Sequence, residues 1–196
     1  MANDINIEEL KQNEEFLDFL KTLEIQMKEE SSVSKGYQLL DAKIVMGSNE
    51  DEINDVFTFL VSTSFDKLSE NLANNIKFDI KNSEDLAATR ALYEHAIQLY
   101  SEDDKKGAKE LFLALTHTIG DENLSESMLI HSAVVIAGYS FDQFIDDLVD
   151  SNIDTFNEIP YFIQNYTQPN DILINMLSKH VKEAKDILSK LEGANK

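Results

Sequence analysis

The segment Leu129–Asp150, LIHSAVVIAGYSFDQFIDDLVD, constrains the fold more than any other. Its first half is the most apolar run of the chain. Its second half has the spacing of a short amphipathic helix. Between Lys109 and Lys179 there is no Lys or Arg, whereas eleven Asp or Glu residues fall in that interval. An apolar run must be covered either by lipid or by other parts of the chain. The longest candidate span, Met128–Tyr139, contains His131 and Ser132 and falls short of the roughly 18 apolar residues that a membrane crossing needs. The run therefore reads as a central core helix, followed at once by an acidic one.

The remaining sequence repeats the helical period. Ile7–Glu30 reads as one helix, with Leu10, Phe16, Leu17, Leu20, Leu23 and Met27 on its apolar stripe. Gly36–Met46 is a short second helix stopped by Gly47. Asn49 caps a third, whose first turn holds Glu50, Asp51 and Glu52 at the positive end of the helix dipole. Asp55–Phe65 is rich in β-branched and aromatic residues. A lone strand would have no partner there, so the reading is a buried helix that breaks near Ser62-Thr63-Ser64 and resumes over Asp66–Ile76. Ser83 caps Glu84–Tyr100. Ser101 with Asp104 forms a capping box for Glu102–Ile119, which Gly120 ends. Asp121 starts a helix that stops at Gly138, and Ser140 with Gln143 opens the acidic helix. Asp154–Tyr166 reads as an irregular helix around Pro160, and Pro169 and Asn170 launch Asp171–Leu191. The pattern predicts an all-α chain, a single compact domain over 1–196 with about eight or nine antiparallel helices. A division into an N-terminal helical subdomain 5–80 and a C-terminal one 83–193 is compatible with it.

Composition removes several chemistries. No cysteine is present, which excludes disulfides, thiol catalysis and Cys-ligated zinc or iron–sulfur sites. The N-terminal MANDINIEELKQNEE is acidic where a secretory signal needs a basic start, so a cytoplasmic location is expected. The abundance of Asn, Ile and Lys suits an AT-rich bacterial genome. The formal charge of −20 repels nucleic acid and anionic membranes. The only Lys-rich segment carries Lys179, Lys182, Lys185 and Lys190, but Glu183 and Asp186 are interleaved with them. Expected partners are proteins with a basic or amphipathic segment, or cations, and neither nucleic acid nor membrane.

In the hairpin Leu92–Leu115, Ala96, Ala108 and Phe112 stand at small, small and aromatic positions, with Leu92, Leu99 and Leu115 at other apolar ones. On these residues the stretch 92–119 resembles a single tetratricopeptide repeat, and the resemblance implies peptide or protein binding. His95 stands where that family usually has leucine. A shift of 34 residues, the family's period, puts Ser62 and Asn74 upstream, and Ile130, Asp142 and Asp146 downstream, at positions that should repeat the pattern. The family's chain-long array is thus not implied.

Asp146-Asp147-Leu148-Val149-Asp150 spells DDxxD, the pattern with which all-α isoprenoid synthases hold magnesium and a diphosphate. That chemistry needs carboxylates on one helix face aimed into a cavity, and a second acidic motif opposite. Here Phe141, Phe144, Ile145, Leu148 and Val149 define the buried side. Asp142, Asp146 and Asp150 lie about 90° or more from its centre at about 100° per residue, and no second motif exists. Asp150, Asn152, Asp154, Phe156 and Glu158 imitate the start of an EF-hand loop, but Thr155 replaces the mid-loop glycine and Tyr161 the terminal glutamate. His95, His117, His131 and His180 belong to no HExxH or ExxH pattern, so a neutral histidine hydrogen-bonded inside the core is the expectation for both His131 and His95. GxGxxG, GxxxxGK[ST] and GxSxG are all absent.

These exclusions leave the acidic helix. Asp142, Asp146, Asp147 and Asp150 are the candidate partner-binding face, with no catalytic residue, metal site or cofactor assigned. The expected function is a non-enzymatic interaction module: an adaptor, a regulator or a client chaperone. The alternatives are a metal-dependent enzyme using DDxxD, or an acidic DNA mimic. A competing expectation is that Lys105, Lys106 and Lys109, or Lys179, Lys182 or Lys185 of the last helix, cover the carboxylates, or that water simply solvates the face.

Overall fold

Helix caps set the frame of the molecule. The computed structural model describes residues 7–150 and 159–194. Among them it forms ten helices: α1 (Ile7–Gln12), α2 (Glu14–Glu30), α3 (Val33–Val45), α4 (Glu50–Asn74), α5 (Ser83–Ser101), α6 (Lys105–Thr118), α7 (Glu122–Ala137), α8 (Phe141–Leu148), α9 (Asn170–Met176) and α10 (Ser178–Ala194). The side chains of Asn13, Ser32, Asn49, Asn82, Asp104, Asp121 and Ser140 each accept a backbone N–H at the start of a helix. Each thereby satisfies a donor that the helix itself cannot. The protein is all-α and a single domain. No strand forms among the described residues, and two isolated bridges, Phe78 with Ile119 and Val149 with Tyr166, are the extended pairings.

Several sequence expectations are corrected. Asn13 caps α2, so Ile7–Glu30 is two helices and not one. α4 does not break at Ser62-Thr63-Ser64. Val56, Leu60, Ser64 and Leu68 form one buried i, i+4 stripe whose packing carries the helix through the polar run, and the Ser62 hydroxyl is satisfied within the helix by the Phe59 carbonyl. Asn82, not Ser83, caps α5. Asp104 is itself the cap of α6, so the Ser101–Asp104 capping box does not form. Gly120 does not terminate α6 by a left-handed turn. Its N–H donates to Phe78 O at 3.0 Å, and a β-carbon there would lie 3.0 Å from that same oxygen. Residues 159–166 hold turn and extended backbone in place of the irregular helix around Pro160, whose first part lies outside the described residues. The last helix is interrupted at Leu177, although Leu173, Leu177, Val181 and Ala184 stay buried along one side.

Helix α5 lies between two clusters of buried side chains. On one side Ala87 and Ala91 join Leu20, Leu23, Met27, Val33, Tyr37, Leu39, Leu40, Val56 and Leu60 of α2–α4. On the other, Ala88, Leu92, Tyr93, Ala96 and Tyr100 join α6, α7, α8, α9 and α10. Alanines at both faces let neighbouring helices approach closely. Between α2 and α7 each helix packs on the next in sequence, and α10 returns to α7. Ten consecutive residues of α7, Ser127 to Ile136, include nine that are buried, which makes it the core helix its apolar run predicts. Among the described residues no helix is long and apolar enough to cross a membrane.

Candidate functional site

Helix α8 is short but held at both ends. At its start Ser140 and Gln143 form a reciprocal capping box. The Tyr100 hydroxyl donates to Tyr139 O at 3.0 Å, and Lys105 Nζ donates to Gly138 O at 3.1 Å. Burial pushes the Tyr100 pKa up to about 12, so the hydroxyl stays a donor at any ordinary pH. At the far end the backbone turns extended: Thr167 N donates to Leu148 O at 2.8 Å and Asp150 N to Asn165 O at 3.1 Å.

Beneath α8, Phe144 is fully buried, its ring 4.9 Å from that of His131. His131 occupies the centre of an aromatic cluster with Tyr93, Phe112 and Tyr166. Its Nδ1 lies 2.7 Å from Ser127 O, so Nδ1 carries the proton. Nε2 then accepts from the Tyr93 hydroxyl at 3.2 Å, whose oxygen accepts from Ile163 N at 3.1 Å. Burial lowers the His131 pKa from 6.5 to about 4, against the opposing pull of the Ser127 carbonyl. Burial likewise raises the Tyr93 and Tyr166 hydroxyls above their usual range. His131 is thus the neutral, satisfied core histidine expected of it; His95 is instead only half-buried, its ring edge-on to Phe65 with centroids 5.9 Å apart.

On the opposite side of α8, Asp142, Asp146 and Asp147 are exposed. No ion pair or side-chain hydrogen bond engages their carboxylates among the described residues. Lys105 is committed to Gly138 and Asp103, and α10 packs on α7, α9 and α6. The expectation that lysines cover this face is therefore overturned for these three residues. The fourth candidate is repositioned. The helix ends at Leu148, so Asp150 is half-buried in the bridge with residues 165–167 and does not continue the i, i+4 ladder. The pairing of Val149 with Tyr166 ends the helix before the DDxxD spacing is complete. No group of three or more His, Asp or Glu residues among those described could hold a metal. The EF-hand-like stretch falls mostly on residues 151–158, outside the described residues.

A second cluster escaped the sequence reading. Arg90, the only arginine of the chain, is sandwiched on α5 between the rings of Tyr37 and Tyr161, at 3.8 and 3.9 Å from their centroids. Its Nε contacts Glu94 at 2.7 Å and its Nη2 lies 3.9 Å from Asp41. The Tyr37 hydroxyl donates to the other Glu94 oxygen at 2.7 Å, and burial raises its pKa well above the usual tyrosine value. Tyr161 is 53% exposed and sits at φ +81°. For a bulky side chain that backbone costs of order 1–3 kcal/mol, about as much as the 0.5–2 kcal/mol that a cation–π contact returns. A lone arginine beside aromatics was the available signal, but nothing in the sequence pairs residue 90 with residues 37 and 161.

No protein-family profile, curated protein or solved structure matches this chain. Its function must be argued from these sites. Ala96, Ala108 and Phe112 are fully buried, as in any close helix pair, and the likeness of 92–119 to a tetratricopeptide hairpin stays a local one.

Proposed function

We propose that this protein is a non-enzymatic, cytoplasmic interaction module that receives a basic or amphipathic segment of another protein on the outer face of α8. Adaptor, regulator and client chaperone are the roles such a module serves. The observation that carries the reading is the face itself. Asp142, Asp146 and Asp147 are exposed and have no ion pair among the described residues, on a helix fixed at both ends by Ser140–Gln143, Tyr100 and the Val149–Tyr166 bridge. A fixed row of like charges attracts cationic segments and steers their approach without prior rearrangement. Asp150 lies at the end of the row and contributes field more than contact. The tetratricopeptide-like hairpin is in keeping with protein binding but does not carry the argument.

The test is capture from native lysate by the intact protein and by an Asp142→Asn, Asp146→Asn, Asp147→Asn variant. A partner retained by the first, lost by the second and released by moderate salt is the expected result. Partners confined to DNA-binding proteins and displaced by DNA would instead indicate mimicry. Tight Mg²⁺ binding in calorimetry would indicate the metal-dependent alternative.

A further inference from the structure

We propose that residues 159–163 form a strap that latches onto α3 and α5 through Tyr161, and that the latch opens and closes in the native protein. Three observations converge on it. The Tyr161 ring closes the outer face of the Arg90 guanidinium, whose inner face rests on Tyr37, so a single side chain joins the strap to both α3 and α5. The same residue holds a left-handed backbone and is half in solvent, so closing the latch strains the chain and opening it relaxes the chain. The residues after it are fixed: Phe162 is buried against Tyr93, with ring centroids 5.1 Å apart, and Ile163 N is bound to the Tyr93 hydroxyl. Before it, Ile159 packs against the core and its carbonyl accepts from Gln164 Nε2 at 2.9 Å, so motion is confined to Pro160 and Tyr161.

The opposing contributions are of similar size, which is the condition for two populated states separated by a small free energy. Opening does not leave the arginine uncompensated, because Glu94 and Asp41 remain in place. It uncovers a flat cation on an aromatic floor beside a cavity of about 190 Å³ lined by Ser34, Gln38, Asp41, Leu86 and Arg90 among others. The latch thus governs access to the only arginine of a strongly acidic chain. It is independent of the α8 face and does not rest on that reading.

The chain contains no tryptophan, so Tyr161→Trp places its single tryptophan, selectively excitable beside the tyrosines, in the latch. Two measurements decide the matter. Relaxation-dispersion NMR on the wild-type protein should show microsecond-to-millisecond exchange at Tyr161, with Ile163 quiet. Acrylamide quenching of Tyr161→Trp should rise when Arg90→Gln removes the cation, because the open population grows by roughly tenfold. Flat dispersion at Tyr161 in the wild-type protein overturns the proposal whether or not the Arg90 variant folds. Quenching unchanged by Arg90→Gln in a folded variant overturns it as well.

Discussion

The Tyr93 hydroxyl and Nε2 of His131 lie 3.2 Å apart in the interior, and this contact joins parts of the chain that are remote in sequence. Tyr93 belongs to α5 and His131 to α7, and the hydroxyl also receives the amide of Ile163, seventy residues from Tyr93. Because Nδ1 carries the proton, the tyrosine donates to the ring and accepts from the backbone, so no polar atom of the pair is wasted.

The His131 pKa is lowered, so protonation is favoured in the unfolded chain first. Stability is fully present above pH 6.5 and falls as pH drops from 6.5 towards about 4, where the folded protein also takes up the proton. The full span corresponds to roughly 3 kcal/mol. Urea titrations at pH 7 and pH 4.5 should show a smaller acid loss for His131→Phe than for the wild-type chain, the carboxylates being common to both.

Glu84 joins the starts of α3 and α5. Its carboxylate accepts from the hydroxyls of Ser32 and Ser34, from Val33 N at 2.9 Å and from Ser34 N at 3.3 Å. Burial alone would raise its pKa, but these four donors outweigh burial and hold it below the usual carboxylate value. Its contribution is complete at neutral pH and is lost as pH falls through that lowered value. Glu84→Gln is expected to destabilise by about 1–2 kcal/mol at pH 7, the worth of charge-assisted bonds at a partly exposed site. Chemical denaturation checks this, and an unchanged midpoint would contradict it.

Gly36 is where α3 meets α4. A β-carbon there would lie 2.2 Å from Leu60 Cδ2 and 3.1 Å from Met27 Sδ. Leu60 and Met27 are themselves buried, so neither can move aside freely. Gly36→Ala should lose about 1–2 kcal/mol despite alanine's better helix propensity. A double-mutant cycle with Leu60→Ala should show strong non-additivity, since that deletion makes room.

Ser64 is fully buried in α4, and its hydroxyl has no hydrogen-bond partner among the described residues. Ser64→Ala removes the unsatisfied group and improves helix propensity. The expected gain is about 1 kcal/mol, read as a higher melting temperature.

On α8, by contrast, Asp142→Asn with Asp146→Asn should change stability by no more than about 0.5 kcal/mol, because the like-charge repulsion removed is offset by the lost attraction of Asp142 to the helix N-terminus. A larger loss in thermal melts would mean that the two carboxylates are structural.

Much of this architecture is legible from short windows of sequence. Asn49, Asp121 and the Ser140–Gln143 pair start the helices they were expected to start, and Gly138 ends α7 at φ +90°. Caps and apolar periods act within about four residues, so the chain itself carries the information. The phase of α8 was readable for the same reason: Phe144 and Leu148 face inward, Asp142 and Asp146 outward. What failed was decided elsewhere. The side chain of Asn13 was a cap hidden inside an unbroken apolar stripe. The polar run Ser62-Thr63-Ser64 looked like a break, yet Leu60 and Leu68 are buried on either side of it and hold the helix straight through.

By itself the sequence determined the helical class, the core helix α7, the starts of α4, α7 and α8, and the exposure of Asp142 and Asp146. The tertiary structure alone decided that α8 stops at Leu148, that Arg90 is gripped by Tyr37 and Tyr161, and that His131 bonds Tyr93. Each of those outcomes depends on residues brought together from distant parts of the chain, and only packing of the whole core can select such partners.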